Sequence, residues 1–300
     1  MPELPEVEAL RLGLVPRLIG ATINKVFVLK PKLVSSKGTT RQPNPTKVKE
    51  FEEDLIGQKI VELTRRAKNI MIHLIGGGLI LVHLKMTGQL VFKPLEEDQK
   101  NVSGGHPIQE SEQNLPNKHT YIIFELDNGT LFYNDVRQFG YVLYYSDLTQ
   151  LDADKHFDEL GMEPLSDDFE INQFVKGLKT KTSPLKTILL NQSVVVGCGN
   201  IYADESCFAA GVKPDRRANS LTKKEATKLY VEIKRILNLA VEQGGSSIAN
   251  YLLADGSRGN YADYHLVYGR KGKSCLVCNT LLESYKLAGR TTVFCPRCQR

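Results

Sequence analysis

The 300-residue sequence contains no apolar run close to the roughly 18–20 residues that cross a bilayer. Its first residues, MPELPEVEALR, hold two prolines and three glutamates, and they lack the apolar core of a secretory signal. We therefore expect a cytosolic protein without a membrane span. No internal repeat is present. The hydrophobic fraction of 41% is typical of a globular chain, which excludes wholesale disorder.

Net charge is also small, at +5, but it is unevenly distributed. Residues 256–300 contain eight Lys or Arg and two acids, so the rest of the chain carries about −1. A basic end on a near-neutral body favours a polyanionic partner such as nucleic acid. An ordinary solvated surface is the alternative reading of the same charges.

Hydrophobic periodicity predicts a β-rich half followed by a helical half. A helix is predicted from Glu3 to about Leu18, because apolar residues recur at three- and four-residue spacing. Residues 31–50 are polar and predict a long loop, and a flexible insertion is expected between Lys93 and Lys118. Predicted strands are TINKVFVL, NIMIHLI, LILVHLKM, HTYIIFEL, TLFYND and GYVLYY. After a connector around 147–155, helices are predicted near 168–178, 184–191, 200–210 and 222–242.

The strongest local signal is a pair of Cys-x-x-Cys motifs near the end of the chain. Sixteen residues separate Cys275-x-x-Cys278 from Cys295-x-x-Cys298, a spacing that is typical of a Cys₄ zinc ribbon. Four protein ligands leave no open position, so we expect one structural Zn²⁺ ion that supplies folding energy. Cys198 and Cys207 are interpreted as small buried residues. Arg290 follows Gly289 at a predicted hairpin turn. An arginine there can contact a phosphate, and a solvated surface charge is the alternative reading.

Three separated stretches resemble one family: MPELPEVE, GCGNIYADESCFAAGVKPDR (197–216) and YGRKGKSCLVC…GRTTVFCPRCQ. The chain resembles formamidopyrimidine-DNA glycosylases over nearly its whole length, apart from an insertion around 95–118. This resemblance implies a base-excision repair enzyme that removes oxidised purines from duplex DNA and then cleaves the backbone by β,δ-elimination. PELPEVE favours this purine branch over the endonuclease VIII branch, whose start looks more like PEGPE.

The resemblance also implies an α+β architecture. Residues 1–147 would form a catalytic β-sandwich with an amino-terminal helix, and 148–155 a linker. Residues 156–262 would form a helix–two-turn–helix domain with a loop, 251–265, that folds over the damaged base. Residues 263–300 would form the zinc finger. The expected partner is double-stranded DNA containing an oxidised base, bound by a monomer in the cytoplasm, on the nucleoid.

By resemblance, four residues carry the catalysis. Pro2 becomes a secondary amine at the chain start once Met1 is removed, and it is the nucleophile that forms a Schiff base with the sugar. Glu3 is the general acid, Glu6 supports the site, and Lys68 reaches the damaged base or its 5′ phosphate. From the residues alone, a blander reading holds: prolines and acids are common at a helix start, where they fix φ and complement the dipole.

The remaining implied roles concern DNA. His83 and Asn200 match positions that contact backbone phosphates, although Asn200 would otherwise be read as a plain helix cap. An intercalating trio fills the space left by the flipped nucleotide: Met86, Arg137 and Phe139. Here the arginine motif reads DVRQFG where the family usually has a DPRRFG-like run, so Val136 and Gln138 bear on turn rigidity and on opposite-base preference. A pyrimidine-directed enzyme and a non-catalytic DNA-binding protein stay as alternatives.

Overall fold

The computed structural model describes residues 1–38, 40–96, 101–105, 114–246 and 259–300. Two compact units are present. The first comprises Met1–Pro2, Glu6–Phe157 and Gly244–Gly259, and the second comprises Glu3–Pro5, Asp158–Gln243 and Asn260–Arg300. The chain is therefore α+β, as predicted, with two sheets and several helices in the first unit and mainly helices, with one hairpin, in the second.

Two antiparallel sheets build the first unit. Its strands are β1 (Ile23–Val28), β2 (Ile60–Arg66), β3 (Asn69–Leu74), β4 (Leu79–His83), β5 (Gly88–Pro94), β6 (Val102–Gly105), β7 (Thr120–Leu126), β8 (Gly129–Asp135) and β9 (Tyr141–Tyr145). One sheet has the order β1-β7-β8-β5-β6, and the other has the order β2-β3-β4-β9.

A single hydrophobic core joins these sheets. Helix α1 (Leu4–Leu18) buries Val7, Leu10, Leu14 and Leu18 in it, which confirms the helix predicted from their spacing. Successive side chains on a strand point to opposite faces. Ile80 and Val82 of β4 therefore enter this core, whereas Leu79 and Leu81 enter a second cluster on the other face of their sheet.

The predicted long loop at 31–50 is wrong. It contains helices α2 (Lys32–Ser35) and α3 (Pro45–Glu53). Asn44 caps α3 by accepting a hydrogen bond from the Lys47 amide at 3.2 Å, and Pro45 occupies the first turn. Phe51 anchors the helix in the core. The Asn-Pro start was readable in the sequence, but the polar composition around it masked the helical pattern.

Further elements appear where no regular structure was predicted. Strands β2, β5 and β6 were not predicted, and β6 lies in the described part of the expected flexible insertion. Helix α4 (Leu148–Ala153) occupies the expected linker, capped by Asp147, and its Leu151 packs into the second cluster. Strand β6 has only four residues and α4 only six, so tertiary packing rather than a local pattern decides their structure.

The second unit is helical, as predicted. Its helices are α5 (Ile171–Lys179), α6 (Leu185–Asn191), α7 (Asn200–Ala210) and α8 (Lys223–Glu242), with short 3₁₀ turns at Ala218–Ser220 and Tyr261–Tyr264. A capping box of Thr222 and Glu225 begins α8. Helices α5 to α8 share one apolar core. Within the described residues, no helix is both long and apolar enough to cross a membrane.

The second unit also contains a two-stranded hairpin, β10 (Glu283–Leu287) and β11 (Arg290–Phe294). Ala288 and Gly289 form its turn, and both have positive φ, at 48° and 74°. Such a turn matches the twist of a hairpin. The four motif cysteines flank these strands.

Candidate active site

Glu3 is held by the amino terminus of α7. Its carboxylate accepts hydrogen bonds from the backbone amides of Gly199 at 2.6 Å, Ile201 at 3.0 Å and Tyr202 at 3.3 Å. A Cβ at Gly199 would lie 2.4 Å from the Glu3 carboxyl carbon, so only glycine permits this approach. The positive end of a helix dipole favours an anion at this place. Glu3 is therefore a fixed acceptor, 3% exposed.

Glu6 is fixed separately, within the first unit. Its Oε1 accepts a hydrogen bond from the Ser246 amide at 2.8 Å, and the side chain is buried. Gly245 has φ +82°, and a Cβ there would lie 2.8 Å from Glu6 Oε1. The segment after α8 thus approaches Glu6 through a glycine in a conformation that other residues rarely adopt.

Pro2 and Lys68 are both buried in the first unit, whereas Met1 is half-exposed. Lys68 lies with Ala67 in the two-residue turn between β2 and β3, where Arg66 pairs with Asn69. A turn lysine is ordinarily solvated, yet Lys68 is only 6% exposed. Burial at such a place points to a positional role.

His83 ends β4 opposite Asn69, the residue that follows Lys68. Its Nδ1 accepts a hydrogen bond from the Lys85 amide at 3.0 Å. Burial, with the nearby charges of Lys85 and Lys68, holds the pKa of His83 well below its ordinary value. The ring is therefore neutral near pH 7 with its proton on Nε2, and it can donate one hydrogen bond to a phosphate.

Met86, Arg137 and Phe139 are brought together on the surface of the first unit. An Arg137 Nη1 donates to Met86 Sδ at 3.0 Å, and the guanidinium lies 4.6 Å from the centre of the Phe139 ring. Met86 is 45% exposed, which is unusual for a large apolar side chain. The structure therefore places these three side chains beside one another.

The loop that carries Arg137 is tied to its sheet by Asp135. The fully buried Asp135 carboxylate accepts hydrogen bonds from the Thr87 hydroxyl and, at 2.7 Å, from the Gly140 amide. The Thr87 hydroxyl oxygen in turn accepts from the Arg137 amide at 2.9 Å. A chain of buried hydrogen bonds therefore fixes both ends of the loop.

The four cysteines of the ribbon suit a tetrahedral ion. All four Sγ atoms lie within 4.8 Å of one another, with Cys275 to Cys298 at 3.9 Å and Cys278 to Cys295 at 3.5 Å. Four Zn–S bonds of about 2.3 Å place sulfur atoms about 3.8 Å apart in a tetrahedron. The geometry and the thiolate chemistry thus fit one structural Zn²⁺, as the sequence predicted.

Within the second unit, two buried acids of α7 hold the zinc ribbon by hydrogen bonds to its backbone and to the segment before it. Asp204 accepts from the Val293 amide at 3.1 Å and pairs with Lys186 at 2.7 Å, both side chains being fully buried. Burial raises the pKa of Asp204 to about 7, although the Lys186 ammonium opposes the shift. Glu205 accepts three backbone amides, from Leu266, Val267 and Tyr268, at 2.7–2.9 Å.

Asn200 links the start of α7 to the strand that carries Arg290. Its Nδ2 donates to the Thr291 carbonyl at 3.2 Å, the residue next to Arg290, and Lys186 donates to the same carbonyl at 3.1 Å. Gly199 rather than Asn200 is the N-cap of α7, so the reading of Asn200 as a plain cap is wrong. Arg290 itself is exposed at the start of β11.

Family models match three parts of the chain. They are described as the formamidopyrimidine-DNA glycosylase N-terminal domain (residues 1–142), the formamidopyrimidine-DNA glycosylase H2TH domain (160–251) and a zinc finger found in FPG and IleRS (272–300). The formamidopyrimidine-DNA glycosylase of Carboxydothermus hydrogenoformans is 38% identical over 300 residues, covering all of both chains. That of Listeria innocua is also 38% identical, over 301 residues, with the same full coverage.

The chain belongs to the formamidopyrimidine-DNA glycosylase family. Solved structures agree. A complex of Lactococcus lactis Fpg (MutM) with DNA containing an N7-benzyl-Fapy-dG has a TM-score of 0.83 at 30% identity, covering all of both chains. Another Lactococcus lactis Fpg complex, with DNA containing an abasic site, has the same TM-score and identity and covers 99% of each chain.

Seen as a glycosylase of this family, the chain also has site-supporting residues that sequence reasoning missed. Lys186 and the α7 acids, Asp204 and Glu205, hold the ribbon in place. The lysine among the apolar residues of α6, LKTILLN, was a signal in the sequence that pointed to Lys186. Of the predicted lid at 251–265, residues 251–258 lie outside the described part of the chain.

Replacing Arg290 with alanine should weaken binding to any duplex and lower the slope of log K against log salt by about one unit. We expect this because Arg290 is exposed at the ribbon tip, where its guanidinium is predicted to contact a phosphate rather than a base. Titration of duplex DNA at several salt concentrations measures the slope. Arg235→Ala, which removes an exposed arginine already paired with Glu232 on α8, is the control and should leave the slope unchanged. An unchanged slope for Arg290→Ala would remove Arg290 from the interface.

Proposed function

We propose that this protein excises oxidised purines, 8-oxoguanine and formamidopyrimidines, from duplex DNA and cleaves the strand at the resulting abasic site. The curated relatives carry the name formamidopyrimidine-DNA glycosylase, and the Lactococcus lactis neighbours are complexes with DNA containing a Fapy lesion or an abasic site. The chain matches them over its whole length. Membership and the site residues together support the assignment.

The observation that carries the proposal is the cluster of Met86, Arg137 and Phe139. An enzyme that excises a base from a duplex must flip the nucleotide out of the stack, which costs a few kcal/mol. An exposed methionine beside an arginine stacked on phenylalanine supplies an apolar wedge and a donor for the orphaned partner base. A protein that binds only the DNA backbone has no use for such a wedge.

The chemistry begins at Pro2, whose nitrogen is a secondary amine once Met1 is removed. Its lone pair bonds to C1′ of the deoxyribose, and the glycosidic bond breaks with its electron pair leaving on the base. The nitrogen then gives up its N–H proton, the C1′–O4′ bond opens, O4′ takes a proton, and the restored nitrogen lone pair forms the C1′=N⁺ iminium. Loss of a C2′ proton expels the 3′ phosphate, and loss of a C4′ proton then expels the 5′ phosphate.

The other site residues have distinct roles in this mechanism. Glu3 delivers the proton to O4′ or to the departing base, and Glu6 supports the site. Lys68 reaches the damaged base or its 5′ phosphate. His83, Asn200 and Arg290 hold phosphates, with neutral His83 acting as a hydrogen-bond donor. The zinc ion, when bound, supplies only the fold of the ribbon.

Borohydride reduction tests this chemistry directly, because it converts the iminium into a stable covalent adduct. We expect a trapped protein–DNA adduct on duplex containing 8-oxoguanine, from protein whose Met1 is shown by mass spectrometry to be absent. A parallel duplex containing thymine glycol tests the pyrimidine-directed alternative. No adduct on either duplex would favour a non-catalytic DNA-binding protein, and an adduct on thymine glycol alone would favour the other branch.

Glu3→Gln should slow base release by about 10²–10⁴-fold, because the general acid is lost. Cleavage of a preformed abasic site should suffer less, since that sugar already opens without an enzyme-bound acid. Single-turnover rates on the two substrates separate the steps. Glu205→Gln is a matched control, because Glu205 also accepts hydrogen bonds from three backbone amides. This variant loses a carboxylate acceptor in the same way, but Glu205 has no proposed catalytic role. Equal losses in both variants would reduce Glu3 to a structural residue.

We further propose the domain organisation predicted above, with a catalytic domain over 1–147, a linker over 148–155, a helix–two-turn–helix domain over 156–262 and a zinc finger over 263–300. The protein acts as a monomer in the cytoplasm, on the nucleoid. One duplex engages one chain, since phosphate contacts, wedge and nucleophile are all supplied by the same polypeptide. Sedimentation of the DNA complex checks the one-to-one stoichiometry.

A further inference from the structure

The buried side chain of Arg41 forms hydrogen bonds to the loop that carries Arg137 and Phe139. Arg41 lies in the polar segment before α3, and its side chain reaches the loop across about a hundred residues of sequence. Nη1 donates to the Gly140 carbonyl at 2.6 Å, and Nη2 donates to the Gln138 carbonyl at 2.8 Å. The two carbonyls flank Phe139, so one planar guanidinium fixes the backbone on both sides of that residue.

The loop needs such support. Gln138 has φ +56°, a left-handed conformation that a residue with a side chain rarely adopts. Val136 stands where a proline would have stiffened the turn. Two contacts offset these features: Arg41 on the carbonyls, and Gln138 Nε2, which donates to the Tyr121 hydroxyl at 2.8 Å.

Arg41 is also costly to bury. The residue is only 8% exposed, and burial lowers the pKa of its guanidinium, an effect that the nearby Tyr133, Asp135 and Tyr141 oppose. A buried arginine that serves only packing could be replaced by an apolar residue without penalty. Both of its terminal nitrogens are instead aimed at the one loop that presents Arg137 to DNA.

We propose that Arg41 is a positioning residue that sets the pose of Arg137 and Phe139, and through them the selectivity for the base opposite the lesion. The inference rests on the proposed function, in which Arg137 contacts the orphaned base. A bidentate arginine contact discriminates between bases by about 5- to 150-fold, and this depends on its geometry. Without the Arg41 contacts, the loop presents Arg137 in several orientations. Discrimination between the four opposite bases is then reduced more than the affinity for DNA.

The test uses binding rather than catalysis. Dissociation constants are measured for the full-length zinc-loaded protein with duplexes that contain a tetrahydrofuran abasic analogue opposite C, T, G or A. For Arg41→Met we expect the ratio between the weakest and the tightest of the four constants to shrink at least about fivefold. Affinity for undamaged duplex should change less than twofold. Arg41→Lys, which can reach one carbonyl, should lie between wild type and Arg41→Met.

Two further variants separate positioning from general destabilisation. Tyr121→Phe deletes only the hydroxyl that holds Gln138, and it should narrow the ratio in the same direction. Arg270→Met is the matched control, because Arg270 also donates to two loop carbonyls, those of Leu266 and Ser274, but at the ribbon. This variant should leave the ratio of dissociation constants unchanged.

A double variant tests whether Arg41 acts through Arg137. In an Arg137→Ala background, Arg41→Met should produce no further decrease of the ratio, since both substitutions act through one contact.

The outcomes are decisive. An unchanged ratio in folded Arg41→Met, or a full further loss in the Arg137→Ala background, overturns the proposal. A wild-type protein with equal affinity for all four partners also overturns it. Should Arg41→Met fail to fold, Arg41→Lys and Tyr121→Phe decide by the same ratio. Because no catalytic step is involved, a protein that fails borohydride trapping can still pass this test, and the two failures stay distinct.

Discussion

Protein in which Pro2 is replaced by leucine should give no borohydride-trapped adduct, and strand cleavage should fall by at least about 10³-fold, as is usual when a covalent nucleophile is lost. A large side chain at the second position prevents removal of Met1, so the chain starts one residue early and no secondary amine forms. Mass spectrometry of the intact protein establishes whether Met1 is present, and trapping and gel cleavage assays measure the loss.

Pro2→Gly supplies the control for this experiment. Glycine permits removal of Met1 and leaves a primary amine at the same chain position, so trapping should be reduced but measurable. The affinity of both variants for a tetrahydrofuran duplex should stay within a few-fold of wild type. Trapping by Pro2→Leu with Met1 retained would show that another amine, such as that of Lys68, is the nucleophile.

Loss of zinc should have the largest effect on DNA binding. Cys275→Ser leaves three thiolates, and a ribbon with almost no core of its own loses the roughly 10–16 kcal/mol that a structural zinc supplies. We expect less than one equivalent of zinc by elemental analysis and at least a hundredfold weaker binding to lesion duplex. The loss should exceed that of Arg290→Ala, because the whole hairpin that carries Arg290 unfolds.

Cys198→Ala is the matched control, since Cys198 is a fully buried cysteine that is not among the four ligands. It should retain one zinc per chain and wild-type affinity. Hydrogen exchange over β10 and β11 gives a readout besides binding: these amides should lose protection in Cys275→Ser only. Full zinc content in Cys275→Ser would contradict a four-cysteine site.

The features that the sequence predicted well are those with a local or periodic origin. The apolar spacing of α1, the helices of the second unit and the Cys-x-x-Cys pairs each depend on residues close together in the chain. The cluster of Met86, Arg137 and Phe139 was reached differently, through family resemblance. Without that resemblance, Met86 and Phe139 would have been assigned to the core.

The features that it did not predict depend on contacts between distant segments. Arg41 lies in a stretch interpreted as a loop, and only the fold brings its guanidinium to the carbonyl of Gly140. A lysine in a turn is ordinarily solvated, and nothing local in the sequence shows that the turn of Lys68 is buried. Similarly, the position of Glu3 against three amides of α7 needs segments nearly two hundred residues apart.

Helix α7 has a consequence for how variants of this protein will be sorted. Its first turn fixes the carboxylate of Glu3, and one turn later Asp204 and Glu205 fix the ribbon that presents Arg290. A substitution that shifts this helix, such as one at Lys186, will therefore slow the reaction and loosen the grip on phosphate together. Screens that divide mutants into catalytic and binding classes will place such residues in both, although they touch neither sugar nor DNA.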